Sequence, residues 1–198
     1  MQILKKKKVI WMDYGIISYI RDEMHQRRTV VSAGMGLDAS ICEGVAKSPA
    51  KISLNKLHLG KFIYIWIGLK KIFKEKPFSV DMYLNGNTMV HLDSVRYISM
   101  QIQPFEGGGF KMAPKASAQD GQFDLCIVTA KSKLKLIGSL LAALRGKHVK
   151  KKGVQIISCN TAQFRTDRDV FVHTDGDICG ALSEFGIMCE QCKIRMIL

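Results

Sequence analysis

Carboxylates set beside glycines carry most of the chemistry this chain can offer. Asp120-Gly121 and Thr174-Asp175-Gly176-Asp177 place acids in turns, and Asp38 follows Gly34-Met35-Gly36. In an Asp-Gly turn the acid caps its own backbone while the glycine takes the positive φ. An exposed carboxylate there is also suited to binding a hard cation or accepting a proton. For Asp38 the sequence predicts an N-cap, accepting from the first free amides of the short helical segment that begins at Ala39. Gly107-Gly108-Gly109 could cradle a phosphate, but no helix pattern follows it and Pro114 comes soon after. A tight turn or a close backbone approach accounts for those glycines better.

Other chemistries find no residues. Neither a G-x-x-x-x-G-K-S/T phosphate loop nor a G-x-S-x-G nucleophile elbow occurs. His25, His58, His91, His148 and His173 show no metal or triad spacing. Cys189-Glu190-Gln191-Cys192 has the spacing of half a zinc site, yet a structural zinc needs four ligands and there is no second C-x-x-C. Cysteines packed as small apolar residues on a late strand are expected instead. The 6 cysteines are irregularly spaced, which fits reduced thiols better than a disulfide scaffold.

The elements that must position these residues are mostly strands. Val80, Met82 and Leu84 alternate before Asn85-Gly86, and Met89 and Leu92 follow it, which predicts a hairpin with a type I′ turn. Further strands are expected at 29–33, 95–102, 123–128, 154–158, 170–173 and 187–197. Many short strands without βαβ repeats predict a mainly β (α+β) fold, an antiparallel β-sandwich with flanking helices. Leu59, Phe62, Ile63, Trp66, Leu69 and Phe73 recur at helical spacing and predict a helix over 57–74. Leu134, Ile137, Leu140, Leu141 and Leu144 predict a second, closed by Gly146. Core packing is the expected use of both stripes, with an acyl-chain cleft the alternative around Tyr64 to Ile67.

At 198 residues and 47% apolar, one folded domain over 1–198 is expected. The run Phe62 to Leu69 is far short of the ~20 residues a membrane-spanning helix needs. No secretory signal opens the sequence, so a cytoplasmic protein is expected. The balance of 30 basic to 17 acidic residues gives a net charge of +13. The excess gathers at Lys5 to Lys8 and at Lys131 to Lys152, where eight Lys or Arg occur without an acid. Such clusters attract polyanions, whether nucleic acid or anionic headgroups, and are otherwise a solvated basic face.

The order of motifs resembles one family. Ile3 to Gly15, Val31 to Ser40, Gly107-Gly108-Gly109 with Ala113-Pro114, Asp120-Gly121, Arg145 to His148 and Asp175-Gly176-Asp177 are similar to the C-terminal half of bacterial diacylglycerol kinases and of sphingosine and ceramide kinases. In that family a glycine-rich nucleotide domain precedes a β-rich domain with these motifs. Its G-G-D-G loop does not occur in this sequence, so the chain is expected to lack the N-terminal nucleotide-binding α/β domain and to be inactive alone. The resemblance implies ATP- and Mg2+-dependent transfer of a γ-phosphoryl group to a lipid hydroxyl, diacylglycerol-like.

The same resemblance assigns residues. Asp120 would help hold magnesium, with the carbonyls of Ser117 and Gln122 completing the shell, although an aromatic is common at the position of Gln122. Asp177 matches the general base proposed for bacterial diacylglycerol kinases, where Glu is usual and the side chain is longer by roughly 1.5 Å. In related sphingosine kinases the base belongs to the first domain. Asp38 would contact polar headgroup atoms. Expected partners are the lipid substrate, an anionic membrane surface met peripherally, the nucleotide-binding domain and a second copy in a homodimer. The rival class is a non-catalytic basic β-module binding anionic membrane or nucleic acid. The aromatic strand motif of an RNA-binding sheet is absent, which counts against nucleic acid.

Overall fold

A computed structural model describes residues 9–49 and 60–197. The Lys5–Lys8 block, the first part of the Ile3–Gly15 motif and the start of the helix expected from residue 57 lie outside them. Strands dominate: β1 Val9–Ile20, β2 Met24–Thr29, β3 Ser32–Gly36, β4 Phe78–Leu84, β5 Thr88–Gln101, β6 Phe123–Thr129, β7 Val154–Cys159, β8 Thr161–Thr174 and β9 Asp177–Ile197. Alternation of apolar and polar residues explains them locally. In β4, Phe78, Val80, Met82 and Leu84 are buried, while Ser79, Asp81 and Tyr83 between them are more open. Asn85 and Gly86 both take positive φ, 51° and 77°, as the Asn-Gly signal requires. Leu84 pairs with Thr88, so the loop holds Asn87 as a third residue and is longer than the expected two-residue turn.

The strand pairings are all antiparallel and run β2-β1-β9-β8-β3-β5-β6-β7. β4 also pairs with both β5 and β8, so β3 and β4 share the slot between those two long strands. Ile17 of β1, Met35 of β3, Phe78 and Met82 of β4, Ile98 of β5, Leu125 of β6 and Phe164 of β8 all enter one buried cluster. Strands several places apart in the pairing order can meet this way only if the sheet folds over on itself, and the result is a sandwich around one core. Strands expected as separate pieces are continuous here. Residues 170–173 belong to β8 and 187–197 to β9, with bulges between Arg165 and Val170 absorbing the bend.

Among the described residues three α-helices flank the sheet: α1 Leu37–Ala46, α2 Gly60–Lys74 and α3 Lys133–Ala143. They cover the outer face of β5 and β6, where Leu37, Ile72 and Leu136 pack with Tyr97, Cys126 and Val128. α1 and α2 approach closely at two glycines. A Cβ on Gly44 would come 2.8 Å from Ile67, and one on Gly68 would lie 3.7 Å from Ile41. The helix α3 ends at Ala143; Gly146, at φ 65°, donates its N–H to Ala143 O and begins the following 3-10 turn instead of capping directly.

The helical stripes face the core only in part: Ile63 is buried, and Ile137 and Leu140 pack against the cluster beside β5 and β6. On α2, Ile63 and Ile72 are buried while Trp66 is 73% exposed and Leu69 and Phe73 are open as well. On α3, Leu136 is buried but Leu134 is 77% exposed, and Leu141 and Leu144 are open. Ile67, Gly68 and Lys71 of α2 reach α1, Ile63 and Ile72 are buried, and Tyr64, Ile65, Trp66, Leu69 and Phe73 are left outward. No helix among the described residues is long and apolar enough to cross a membrane.

Candidate functional site

The β8–β9 hairpin carries the acidic motif. Thr174 pairs with Asp177 across a two-residue turn, in which Asp175 takes φ 48° and Gly176 φ 90°. Asp177 is exposed at the first position of β9. Asp175 is fully used in holding the turn. Its carboxylate accepts from Thr29 Oγ1 at 2.7 Å and from the N–H groups of Val30, Val31 and Ser32 at 2.9 to 3.0 Å. Those amides lie where β2 gives way to β3, so the strand expected over 29–33 breaks at Val30-Val31 and Asp175 satisfies the freed donors.

Beneath this turn lies a buried histidine with two half-buried acids, a group that sequence spacing did not reveal. His173 Nε2 is 2.9 Å from Asp38 Oδ2 and 4.0 Å from Glu106 Oε1. Asp38 is therefore not the N-cap. That position belongs to Gly36, at φ 82° and without a side-chain cap, and the carboxylate of Asp38 points from the first turn of α1 to the imidazole. Gly34-Met35-Gly36 is a strand, not a turn. A Cβ at Gly34 would come 2.1 Å from Asp38 Oδ2 and 2.5 Å from His173 Nε2, so the pair requires glycine there. Glu106 accepts from Ser32 Oγ at 2.8 Å, with Ser99 Oγ 3.4 Å away and Gln101 bonded to Ser99 in turn. Burial, and then the nearby Asp38 charge, push the Glu106 carboxyl up to about 7. Burial works to lower His173, but the Asp38 and Glu106 carboxylates outweigh it and raise the imidazole.

Glu106 precedes the glycine triple. Gly108 and Gly109 take φ 78° and 82° in a 3-10 turn. A Cβ at Gly107 or Gly109 would meet nothing, so close approach is not the reason for the triple; positive φ calls for glycine at Gly108 and Gly109. His148 of the Arg145–His148 motif is buried, its Nε2 2.9 Å from Met112 O, and it anchors the loop that follows the triple glycine.

Asp38, Cys42 and His173 have ligand atoms within 4.8 Å of one another. A metal-bound imidazole donates its second N–H outward. Here Nδ1 of His173 instead accepts from Gly176 N–H at 3.1 Å, which places the ring proton on Nε2, toward Asp38. The group is a hydrogen-bonded relay. Cys189 packs against the core from β9, and Cys192 is exposed at φ 52°.

Asp120 stands in a second construction. Its Oδ1 accepts from Gln122 N–H at 3.1 Å, Gly121 has φ 73°, and Gln119 N–H lies 3.3 Å from Ser117 Oγ. Fully buried Asp13 holds this loop in place. It receives Gly121 N–H at 2.7 Å and Cys192 N–H at 2.7 Å, and its own N–H bonds to Ala118 O. Ser117, Asp120 and Gln122 thus share one loop pinned to β1 and β9, and their donors are the hard oxygens magnesium takes. Asp13 was not legible in the sequence, because its partners lie 108 and 179 residues away.

Several known proteins are similar to this chain. The family model described as YegS C-terminal NAD kinase beta sandwich-like domain matches residues 29–192. The chain is 28% identical over 166 residues to "Putative lipid kinase YtlR" of Bacillus subtilis (strain 168), covering 84% of this chain and 53% of that protein. It is 25% identical over 134 residues to the diacylglycerol kinase of the same organism, covering 68% and 43%. The chain therefore spans about half the length of the curated relatives it matches. The crystal structure "of a putative diacylglycerol kinase from Bacillus anthracis str. Sterne" superposes with a TM-score of 0.65 at 17% identity, over 96% of this chain and 57% of that one, and shows the same fold.

Proposed function

The chain belongs to the family of YegS C-terminal NAD kinase-like β-sandwich domains, and from that premise we propose that it is the acceptor half of a lipid kinase, working with a nucleotide-binding domain. The observation that carries this reading is the β8–β9 turn. Asp175 spends its carboxylate on Thr29 and three main-chain amides, and so fixes the turn that leaves Asp177 open to solvent. Phosphoryl transfer asks little covalent chemistry of the protein beyond position, charge and a carboxylate for the hydroxyl proton. Asp177 takes that proton from a diacylglycerol-like hydroxyl, and half-buried Asp38, at the edge of the relay, meets polar headgroup atoms.

Ser117, Asp120 and Gln122 would hold a magnesium ion, which would supply charge neutralisation and tie their loop to the nucleotide-binding domain. Asp13 keeps the loop in shape for it through Gly121 N–H. The outward apolar residues of α2 and α3, among Lys70, Lys74, Lys133 and Lys135, suit a peripheral anionic membrane surface on the cytoplasmic side. The test is to supply a nucleotide-binding domain by fusion and to follow transfer of labelled phosphate from ATP to diacylglycerol. Phosphorylated lipid is expected. A fusion that binds ATP and folds, yet labels no lipid, would remove the acceptor assignment.

A further inference from the structure

Both ring nitrogens of His173 are engaged, and the two bonds connect residues on different elements. Nε2 faces Asp38 on α1 at 2.9 Å, and Nδ1 receives Gly176 N–H at 3.1 Å in the β8–β9 turn. The next residue after Gly176 is Asp177. A neutral imidazole that accepts at Nδ1 must carry its proton at Nε2, so the tautomer is fixed by the main chain of the turn. Hydrogen bonds in series polarise one another. A carboxylate accepting from Nε2–H makes Nδ1 a stronger acceptor, and the hold on Gly176 tightens; neutralising or diverting that carboxylate loosens it.

The turn has little else at this end. Nothing would meet a Cβ on Gly176, so packing does not confine it, whereas the Asp175 end is tied to Val30, Val31 and Ser32. Gly34 leaves the space in which the Asp38 carboxylate and the imidazole meet. The other charged groups facing the ring are Glu106, from the loop after β5, and Asp175 of the turn itself.

We propose that His173 is a positioning residue that transmits the state of the Asp38 carboxylate to the Gly176 amide, so that headgroup contact at Asp38 sets the turn presenting Asp177. This rests on the acceptor-site reading above. A histidine serving only to fill the core would leave Gly176 indifferent to the charge on Asp38.

Nuclear magnetic resonance on the chain tests the link without any kinase activity. The carboxylates raise the His173 imidazole, so the measurement is made at alkaline pH, where the neutral ring should report the Nε2–H tautomer. Asp38→Asn keeps the shape and an accepting oxygen but removes the charge. It should move the Gly176 amide proton upfield and speed its hydrogen exchange roughly 10-fold, the order expected when a charge-assisted chain becomes a neutral one. An unchanged Gly176 amide in folded Asp38→Asn overturns the proposal. Dihexanoylglycerol, a soluble acceptor lipid, should shift the Gly176 amide in the unmodified chain and not in His173→Gln, whose amide N–H can face Asp38 in place of Nε2–H but leaves no acceptor at the Nδ1 position that Gly176 uses. An equal Gly176 response in His173→Gln also overturns the proposal. No response to the lipid at any residue contradicts the acceptor-site reading, while the Asp38→Asn spectrum still decides the linkage.

Discussion

At position 34 a single methyl group decides whether Asp38 and His173 can meet. Gly34→Ala would place a carbon 2.1 Å from the carboxylate and 2.5 Å from the imidazole, with a strand on either side to resist the shift. A loss of about 1–3 kcal/mol is expected, the usual cost of overpacking, measured by denaturant unfolding. Unchanged stability would mean that the pair is not held as described. Glu106 gives the pH dependence. Its folded carboxyl is raised to about 7, from 4.5, chiefly by burial. The folded state therefore binds this proton more tightly than the unfolded chain, and the contribution is fully present below about 4.5 and lost as pH rises through about 7. Stability should decline across that window, and Glu106→Gln, neutral throughout, should flatten the decline. An identical pH profile in the variant would contradict it. The relay was not legible in the sequence because Asp38, Glu106 and His173 come from three distant places in the chain, and a lone histidine in a strand carries no spacing signal. Asp38 read as a cap because the sequence showed a helix start and could not show an imidazole 135 residues away.

The periodicity of α2 and α3 predicts both helices but only part of what each stripe covers: Ile63, Ile137 and Leu140 pack inward and the rest stays open. Periodicity counts apolar residues and cannot tell which face a neighbour covers, and α2 is apolar over more than one face. Gly44 and Gly68, where α1 and α2 come close, fix its rotation and turn Trp66 and Phe73 outward. Lys133 of α3 lies over the Phe73 ring and donates to Phe73 O at 2.7 Å, so the two open faces adjoin. The surface thus combines aromatic and aliphatic anchors with lysines. Sedimentation with phosphatidylserine vesicles should retain the chain at low salt and release it as salt rises, since exposed charges are screened beyond ~8 Å at physiological ionic strength. Trp66→Ala should weaken retention about 10-fold, in line with burying one large apolar side chain. Equal recovery with neutral and anionic vesicles, or no effect of Trp66→Ala, would leave this face without a membrane role.

The sandwich was legible at the scale of the whole molecule, because strand alternation and turn residues such as Asn85-Gly86 and Asp175-Gly176 are local. What local signals could not supply was continuity. β5, β8 and β9 run for 14, 14 and 21 residues and change partners along their length, which is how one set of pairings closes over a single core. The motif order, read in sequence, already pointed to the family that the comparison now shows. No G-x-x-x-x-G-K or G-G-D-G loop occurs in these 198 residues, so calorimetric titration of this chain with magnesium and ATP should show no saturable heat. A micromolar dissociation constant would require a nucleotide site in the sandwich itself.

The role proposed for Asp177, receiving the proton of the acceptor hydroxyl, can be tested by one substitution. In a fusion with a nucleotide-binding domain, Asp177→Asn preserves size and the hairpin while removing the base. Turnover on diacylglycerol should fall by about 10²–10⁴, the usual worth of a positioned base, with ATP affinity nearly unchanged. Full turnover in Asp177→Asn would take Asp177 out of the chemistry and place the base in the nucleotide-binding domain.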